Sequence, residues 1–167
     1  MYNVLKLTDN ISLLTTEMDN NIVSKIKEKM ISKYECNILP NINSYVLKII
    51  DINTSSIKNG KINDINGNIS YNVEYTAVVF DPQKGRVIDV YVDKCDELGI
   101  WGHPIHCPIK DTVVECICVA GSLGPYKYHD GSYVSKTIIS PGSSIKFKIL
   151  NKQIENEYMG IIGTLVN

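Results

Sequence analysis

The chain has almost no excess charge of either sign. Its 167 residues include 17 lysines and arginines against 18 aspartates and glutamates, a formal net charge of -1. Proteins that depend on phosphate contacts usually carry several extra positive charges, which argues against a dedicated high-affinity DNA-binding protein. No apolar run approaches the roughly 20 residues of a membrane-spanning helix, and residues 1–10 lack a basic stretch followed by an apolar one. We therefore expect an intracellular protein without a membrane role.

A paired set of cysteines is also missing. The five cysteines are an odd number, and no signal-peptide pattern accompanies them. Both features disfavour a disulfide framework. We expect free, buried thiols at Cys36, Cys95, Cys107, Cys116 and Cys118.

The remaining composition, 44% hydrophobic and 21% charged, is that of a globular protein with one ordinary domain or two small ones. Between Asn21 and Tyr34, apolar residues recur every four positions and predict one amphipathic helix, capped by Asn20 or Asp19. Short strand-like segments flank it at 2–8, 11–14 and 45–53.

The middle of the chain changes character at a turn. From Ile69 to Phe80, apolar and polar side chains alternate, which predicts a long strand with one buried face. The preceding segment 57–68 has few apolar groups and two turn-forming glycines, so we expect a protruding loop or loose hairpin. The turn 81–85 contains Pro82 and predicts a domain boundary there.

After this turn the pattern is a succession of short strands at 86–94, 112–120, 144–150 and 158–166. No helical period is longer than one turn, so these strands predict a small barrel or sandwich. Glycines near the strand ends and bends favour a tightly coiled five-stranded barrel. Residues 121–135 are expected to be irregular.

A family pattern runs through the stretch from Gly60 to Val92. Its matching positions are Tyr71, Val73, Tyr75, Ala77, Val78, Val79, Phe80, Pro82, Gly85, Val87 and Ile88. Through these positions the stretch resembles the junction region of the larger stalk subunit of multisubunit DNA-dependent RNA polymerases, called subunit seven in RNA polymerase II and E-prime in archaea. The chain departs from that family's pattern at Gln83, at Arg86 and in a shortened second barrel strand, 99–104.

The resemblance implies a non-catalytic protein with an α+β N-terminal ribonucleoprotein-like domain (1–81) and an all-β OB-fold barrel of the S1 type (82–167). It implies docking on RNA polymerase core subunits through an N-terminal tip loop and contact of the barrel with nascent single-stranded RNA. It also implies a small helical stalk partner that forms a heterodimer with the chain. It implies no cofactor. The location would be the nucleus of a cell, or the cytoplasmic factory or virion of a large DNA virus. The implied docking residues are Ile57, Gly60, Ile62, Ile65 and Gly67.

RNA binding by the barrel would need cations for phosphates and flat groups for bases. Lys146 and Lys148 alternate with apolar residues, so both should lie on the outer face of one strand. Alternatively, Trp101 is a core or partner-facing aromatic and the lysines only aid solubility. We expect weak, salt-sensitive binding. The remaining candidates are Lys84, Arg86, Trp101, His103, Tyr126, Lys127 and Tyr128.

Three other functions fit the residues less well. A free-standing S1-type RNA-binding protein would need no tip loop. A zinc site could draw on His103, His106, Cys107, Cys116 and Cys118, but their spacing is poor and period two predicts that both strand cysteines are buried. An enzyme is disfavoured because phosphate-loop, dinucleotide and nucleophile-elbow patterns are all missing.

Overall fold

The computed structural model describes residues 1–18, 20–105, 113–155 and 158–166. The chain divides into two compact units. One unit comprises Tyr2–Leu39 and Tyr45–Phe80; the other comprises Met1, Pro40–Ser44 and the chain from Asp81 onward. No helix in the described part of the chain is both long and apolar enough to cross a membrane.

The first unit is a five-stranded sheet with one α-helix. Its elements are β1 (Tyr2–Leu13), α1 (Ile22–Tyr34), β2 (Asn37–Leu39), β3 (Ser44–Ile52), β4 (Lys61–Ile62) and β5 (Ile69–Phe80), with 3-10 turns at Thr15–Glu17 and Thr54–Lys58. The strands follow the order β1-β5-β3-β2, with β4 paired to β5. A third 3-10 turn, Pro40–Ile42, falls in the second unit.

The long strand predicted over 69–80 is confirmed as β5, and its alternate residues form the buried face. It pairs antiparallel with β1 along its whole length, from Tyr2 opposite Phe80 to Leu13 opposite Ile69. This pairing explains why β1 is one strand of 12 residues where the sequence predicted two segments. Backbone pairing with β5 keeps the polar middle of β1 in the sheet.

The predicted helix is confirmed as α1, which buries Ile26, Met30 and Tyr34. The Tyr34 ring stacks on Tyr75 of β5, with ring centroids 5.5 Å apart. The predicted cap is wrong for Asn20, because Asn21 occupies the N-cap position and makes no side-chain capping hydrogen bond. Asp19, the other predicted cap, lies outside the described residues.

The second unit contains a closed barrel and a small sheet. The strands are β6 (Val87–Asp96), β7 (Gly99–Pro104), β8 (Val114–Val119), β9 (Lys127–His129), β10 (Ser132–Val134), β11 (Ile138–Ile139), β12 (Ser144–Glu155) and β13 (Tyr158–Leu165). The barrel has the strand order β12-β13-β8-β7-β6, and the small sheet has the order β11-β10-β9. In the barrel, β8 and β13 pair in parallel and the other neighbours are antiparallel. This arrangement is compatible with an OB-like barrel.

The prediction of an irregular segment at 121–135 is wrong, because β9 and β10 lie within it. Their backbones pair with each other, and β10 also pairs with β11. Tyr133 anchors this small sheet: its ring is buried, and its hydroxyl donates to the Asp96 carbonyl of β6 at 2.8 Å. The buried ring of Tyr133 thus gives this polar segment an apolar anchor that the sequence pattern did not predict.

Candidate docking loop and RNA interface

The tip loop, residues 60–67, is a hydrogen-bonded hairpin. Lys61 and Ile62 of β4 pair with Ser70 and Ile69 of β5. The Gly67 N–H donates to the Asn63 carbonyl at 2.8 Å, and the Ile65 N–H donates to the Asn63 side-chain oxygen at 3.0 Å. These bonds give the loop a defined shape at the end of the sheet.

Two apolar side chains of the tip loop face solvent. Ile62 is 66% exposed and Ile65 is 96% exposed. Such exposure of aliphatic side chains in an ordered loop leaves apolar surface that a partner could cover. Both residues therefore remain candidates for docking.

The exposure that we expected for Ile57 is wrong, because its side chain is only 7% exposed. The turn Thr54–Lys58 is bonded to β5: the Asn53 N–H donates to the Glu74 carbonyl, and the Glu74 N–H donates to the Ser56 hydroxyl. These bonds fold Ile57 inward. Its side chain is therefore not available as an exposed anchor for a partner.

The two glycines of the tip loop fix its shape in different ways. Gly67 adopts φ +71°, in the left-handed region that glycine favours. A Cβ at Gly60 would lie 2.9 Å from the Tyr71 ring, closer than carbon atoms can approach. Both positions support the hairpin rather than offering side-chain contacts.

On the barrel, the outer side of β6 and β7 carries what we call the aromatic face: Tyr91, Lys94, Trp101 and His103. The Tyr91 and His103 ring centroids are 5.3 Å apart, and Lys94 Nζ lies 5.3 Å from the centroid of the Trp101 ring. Trp101 and His103 were predicted from the sequence, whereas Tyr91 and Lys94 were missed. The period-two alternation of β6, in which Val90 and Val92 are buried, could have shown Tyr91 on this side.

Lys94 and His103 of the aromatic face already have carboxylate partners. His103 Nδ1 lies 2.7 Å from Asp93 Oδ2, and Lys94 Nζ lies 2.7 Å from Asp96 Oδ2. The hydrogen bond and charge of Lys94 lower the pKa of Asp96, and the same pair raises the pKa of Lys94. The aromatic face therefore offers flat rings with little uncompensated positive charge.

A second group of predicted residues lies where β6 begins beside β12. Lys146 and Lys148 are both exposed on the outer face of β12, as predicted. Lys148 is opposite Val87, and the Arg86 carbonyl accepts the Ile149 N–H at 2.8 Å. Arg86 and Lys84 are exposed in the turn that precedes β6.

The third group belongs to the small sheet. Lys127 and Tyr128 lie on β9, where both are exposed, and the Tyr128 ring packs at 5.6 Å against Tyr133. The Tyr126 hydroxyl is 2.7 Å from Thr137 Oγ1. The nine predicted RNA-binding residues thus fall into three groups, and only Trp101 and His103 belong to the aromatic face.

The described residues that were candidates for a zinc site lie on opposite sides of the barrel wall. Cys116 and Cys118 are buried on β8, and burial raises the pKa of the Cys118 thiol to about 11. His103 lies on the outer side with Asp93. His106 and Cys107 lie outside the described residues. Among the residues that are described, no group of three histidine, cysteine or acidic side chains could hold a metal ion.

The chain is similar to several subunits of DNA-directed RNA polymerases. The chain is 30% identical over 99 residues to DNA-directed RNA polymerase II subunit RPB7 of Saccharomyces cerevisiae, covering 59% of the chain and 57% of that protein. It is 28% identical over 123 residues to RNA polymerase II subunit rpb7 of Dictyostelium discoideum, covering 64% of the chain and 69% of the relative. RNA polymerase III subunit RPC8 of Saccharomyces cerevisiae is 26% identical over 100 residues, covering 60% of the chain and 46% of the relative.

No protein-family model matches the chain. The chain spans about half to two thirds of the length of these relatives. That these relatives are polymerase subunits agrees with the resemblance noted for residues 60–92. This stretch runs from the tip loop through β5 into β6. The chain is therefore similar to RPB7-like subunits of DNA-directed RNA polymerases.

Proposed function

We propose that the chain is a non-catalytic stalk subunit of a DNA-directed RNA polymerase. It docks on the polymerase core through the tip loop and contacts nascent RNA through the barrel. The main observation in support of docking is the hydrogen-bonded hairpin that exposes Ile62 and Ile65 to solvent. Its similarity to RNA polymerase subunits supports this choice of partner.

The tip loop suits docking because its shape is set before binding. A hairpin held by its own hydrogen bonds loses little conformational entropy when a partner covers it. Ile65, almost fully exposed, gains most from burial, at roughly 1.5–3 kcal/mol for a side chain of this kind. Ile62, Gly60 and Gly67 define the base from which it projects.

Contact with RNA is supported by the rings of the aromatic face and by the lysines of β12. Base stacking on an aromatic side chain contributes about 1–3 kcal/mol per base and tolerates any sequence. Asp96 neutralises Lys94 and Asp93 places a further negative charge beside His103, which favours weak affinity for the chain alone. The polymerase would supply the rest by holding the transcript close to the barrel.

The same proposal includes the finer features of the family. The N-terminal region 1–81 is a ribonucleoprotein-like domain and 82–167 an S1-type barrel, supported by the helix-backed sheet and by the closed barrel. A small helical subunit is the proposed heterodimer partner. The proposed location is intracellular: the nucleus of a cell, or the cytoplasmic factory or virion of a virus.

The alternative of a free-standing S1-type RNA-binding protein is disfavoured by two observations. Its barrel would function without an exposed, ordered tip loop, and the similar proteins are polymerase subunits.

A pull-down from the native cell tests docking. We expect a tagged chain to capture polymerase core subunits, and the double variant Ile62→Asp with Ile65→Asp to lose them. Val4→Asp is the matched control, because Val4 is 63% exposed on β1, away from the tip loop. If the double variant, folded by circular dichroism, still captures the core as wild type does, the docking proposal is wrong.

A further inference from the structure

The second unit contains a groove of about 680 Å³ between the small sheet and the barrel. Its walls come from the segment before β9, from the connection into β11, from the start of β12 and from the end of β13. The lining residues fall in 125–126, 135–139, 143–146 and 165–166. This groove has no part in the tip loop or the aromatic face, but it includes Tyr126 and Lys146, two of the nine residues predicted to bind RNA.

Five of the thirteen residues that line the groove are aliphatic, and four others are serines or a threonine. Ile139 and Ile145 are buried and form its floor, whereas Ile138 is 66% exposed and Val166 is 38% exposed. Leu165 completes this surface. Exposed aliphatic groups gathered in a concave site are typical of a site that binds apolar side chains.

The charges of the groove are all of one sign. Lys136 and Lys146 are its charged lining residues, and no aspartate or glutamate is among the lining residues described. Such a local excess stands out in a chain with a net charge of -1. It complements a ligand that carries negative charge beside apolar groups.

The backbone next to the groove is also suited to an extended ligand. β11 is an edge strand of the small sheet, and Ile138 and Ile139 are its residues. Edge strands are common binding places for extended peptides, whose alternate side chains enter neighbouring pockets.

The lining chemistry distinguishes a peptide from RNA. Bases stack on flat groups, and the aromatic residue of this lining is Tyr126, whose hydroxyl is engaged by Thr137. The remaining apolar lining is aliphatic or proline, which suits leucine, isoleucine, valine or phenylalanine side chains better than bases. We propose that the groove binds an extended peptide segment of a partner protein, with apolar side chains flanked by aspartates or glutamates.

The experiment uses the full chain and a display library of 12-residue peptides. Four central positions vary among Leu, Ile, Val, Phe, Tyr and Trp, and the flanks carry only Asp and Glu. A second library has Lys and Arg in the flanks. We expect enrichment on the full chain from the acid-flanked library alone.

Variants locate the binding. Ile138→Asp and the pair Lys136→Glu with Lys146→Glu should weaken the enriched peptides at least tenfold by fluorescence anisotropy. Val4→Asp and the pair Lys6→Glu with Lys48→Glu, matched in exposure and charge change but located in the first unit, should bind as wild type does. Melting temperatures verify that every variant is folded.

Three results would overturn the proposal: no enrichment, equal enrichment from both libraries, or binding that Ile138→Asp leaves intact. Loss of affinity for a 12-nucleotide RNA in the lysine pair, without groove-dependent peptide binding, would assign the groove to RNA instead. The result is independent of the pull-down with the tip-loop variants, so the two proposals can fail separately.

Discussion

Lys152 on β12 donates from Nζ to Asp81 Oδ1 at 2.6 Å and to the Asn43 carbonyl at 2.7 Å. One side chain thus connects positions that are 71 and 109 residues away in sequence. The Lys152 and Asp81 side chains are 25% and 24% exposed, so solvent screens this pair less than a surface pair.

Replacing Lys152 by methionine should lower the free energy of unfolding by about 1–2 kcal/mol, because a part-buried carboxylate loses its charged donor. Urea unfolding measures the change. Lys148→Met, on the exposed face of the same strand, should change it by less than about 0.5 kcal/mol. Equal effects of the two substitutions would show that the Lys152 bonds contribute nothing specific.

The Lys152→Met effect should depend on pH. Burial alone would raise the pKa of Asp81, but the hydrogen bonds from Lys152 and Gln83 outweigh it and lower the pKa below its usual value. A lowered pKa in the folded state stabilises the protein above the unfolded-state pKa of about 3.9, and this contribution is lost as the pH falls through the folded-state value. The difference between wild type and Lys152→Met should therefore be constant from pH 7 to about pH 5 and shrink below about pH 4. A difference that does not change down to pH 2 would contradict this origin.

Asp96 restrains Lys94 on the aromatic face, so Asp96→Asn should strengthen RNA binding. The amide oxygen can still accept the Leu98 N–H, which Asp96 Oδ1 accepts at 2.8 Å, while the charge that holds Lys94 is removed. We expect a gain of about two- to threefold in affinity for a 12-nucleotide single-stranded RNA. The slope of log K against log salt should steepen by about 0.7, the value for one more phosphate contact.

Asp51→Asn is the control for Asp96→Asn, because it removes one negative charge from an exposed position on β3. Anisotropy titrations at several salt concentrations compare the two variants. If Asp51→Asn gives the same gain, net charge rather than the release of Lys94 determines the affinity.

The sequence predicted those features that depend on local periodicity. The bounds of β5, the outward lysines of β12 and the inward cysteines of β8 all follow from alternation. The burial of Ile57 did not, because it depends on bonds between a turn and β5. The pairing of Tyr91 with His103 likewise depends on strand register, which periodicity alone does not fix. Site residues brought together by strand pairing were therefore the hardest to foresee.

Gly163 on β13 tests how tightly the barrel is closed. A Cβ at this position would overlap the Lys148 carbonyl and the Phe147 ring, both on the neighbouring strand β12. The carbonyl belongs to the backbone and cannot turn away, so Gly163→Ala should lower the free energy of unfolding by about 1–3 kcal/mol. Gly121→Ala is the matched control: its Cβ would meet no atom within 4 Å, and its φ is not positive. Urea unfolding midpoints measure both variants at the same protein concentration. Equal midpoints would mean that β12 and β13 can separate without cost, which would contradict the close pairing on which the closed barrel depends.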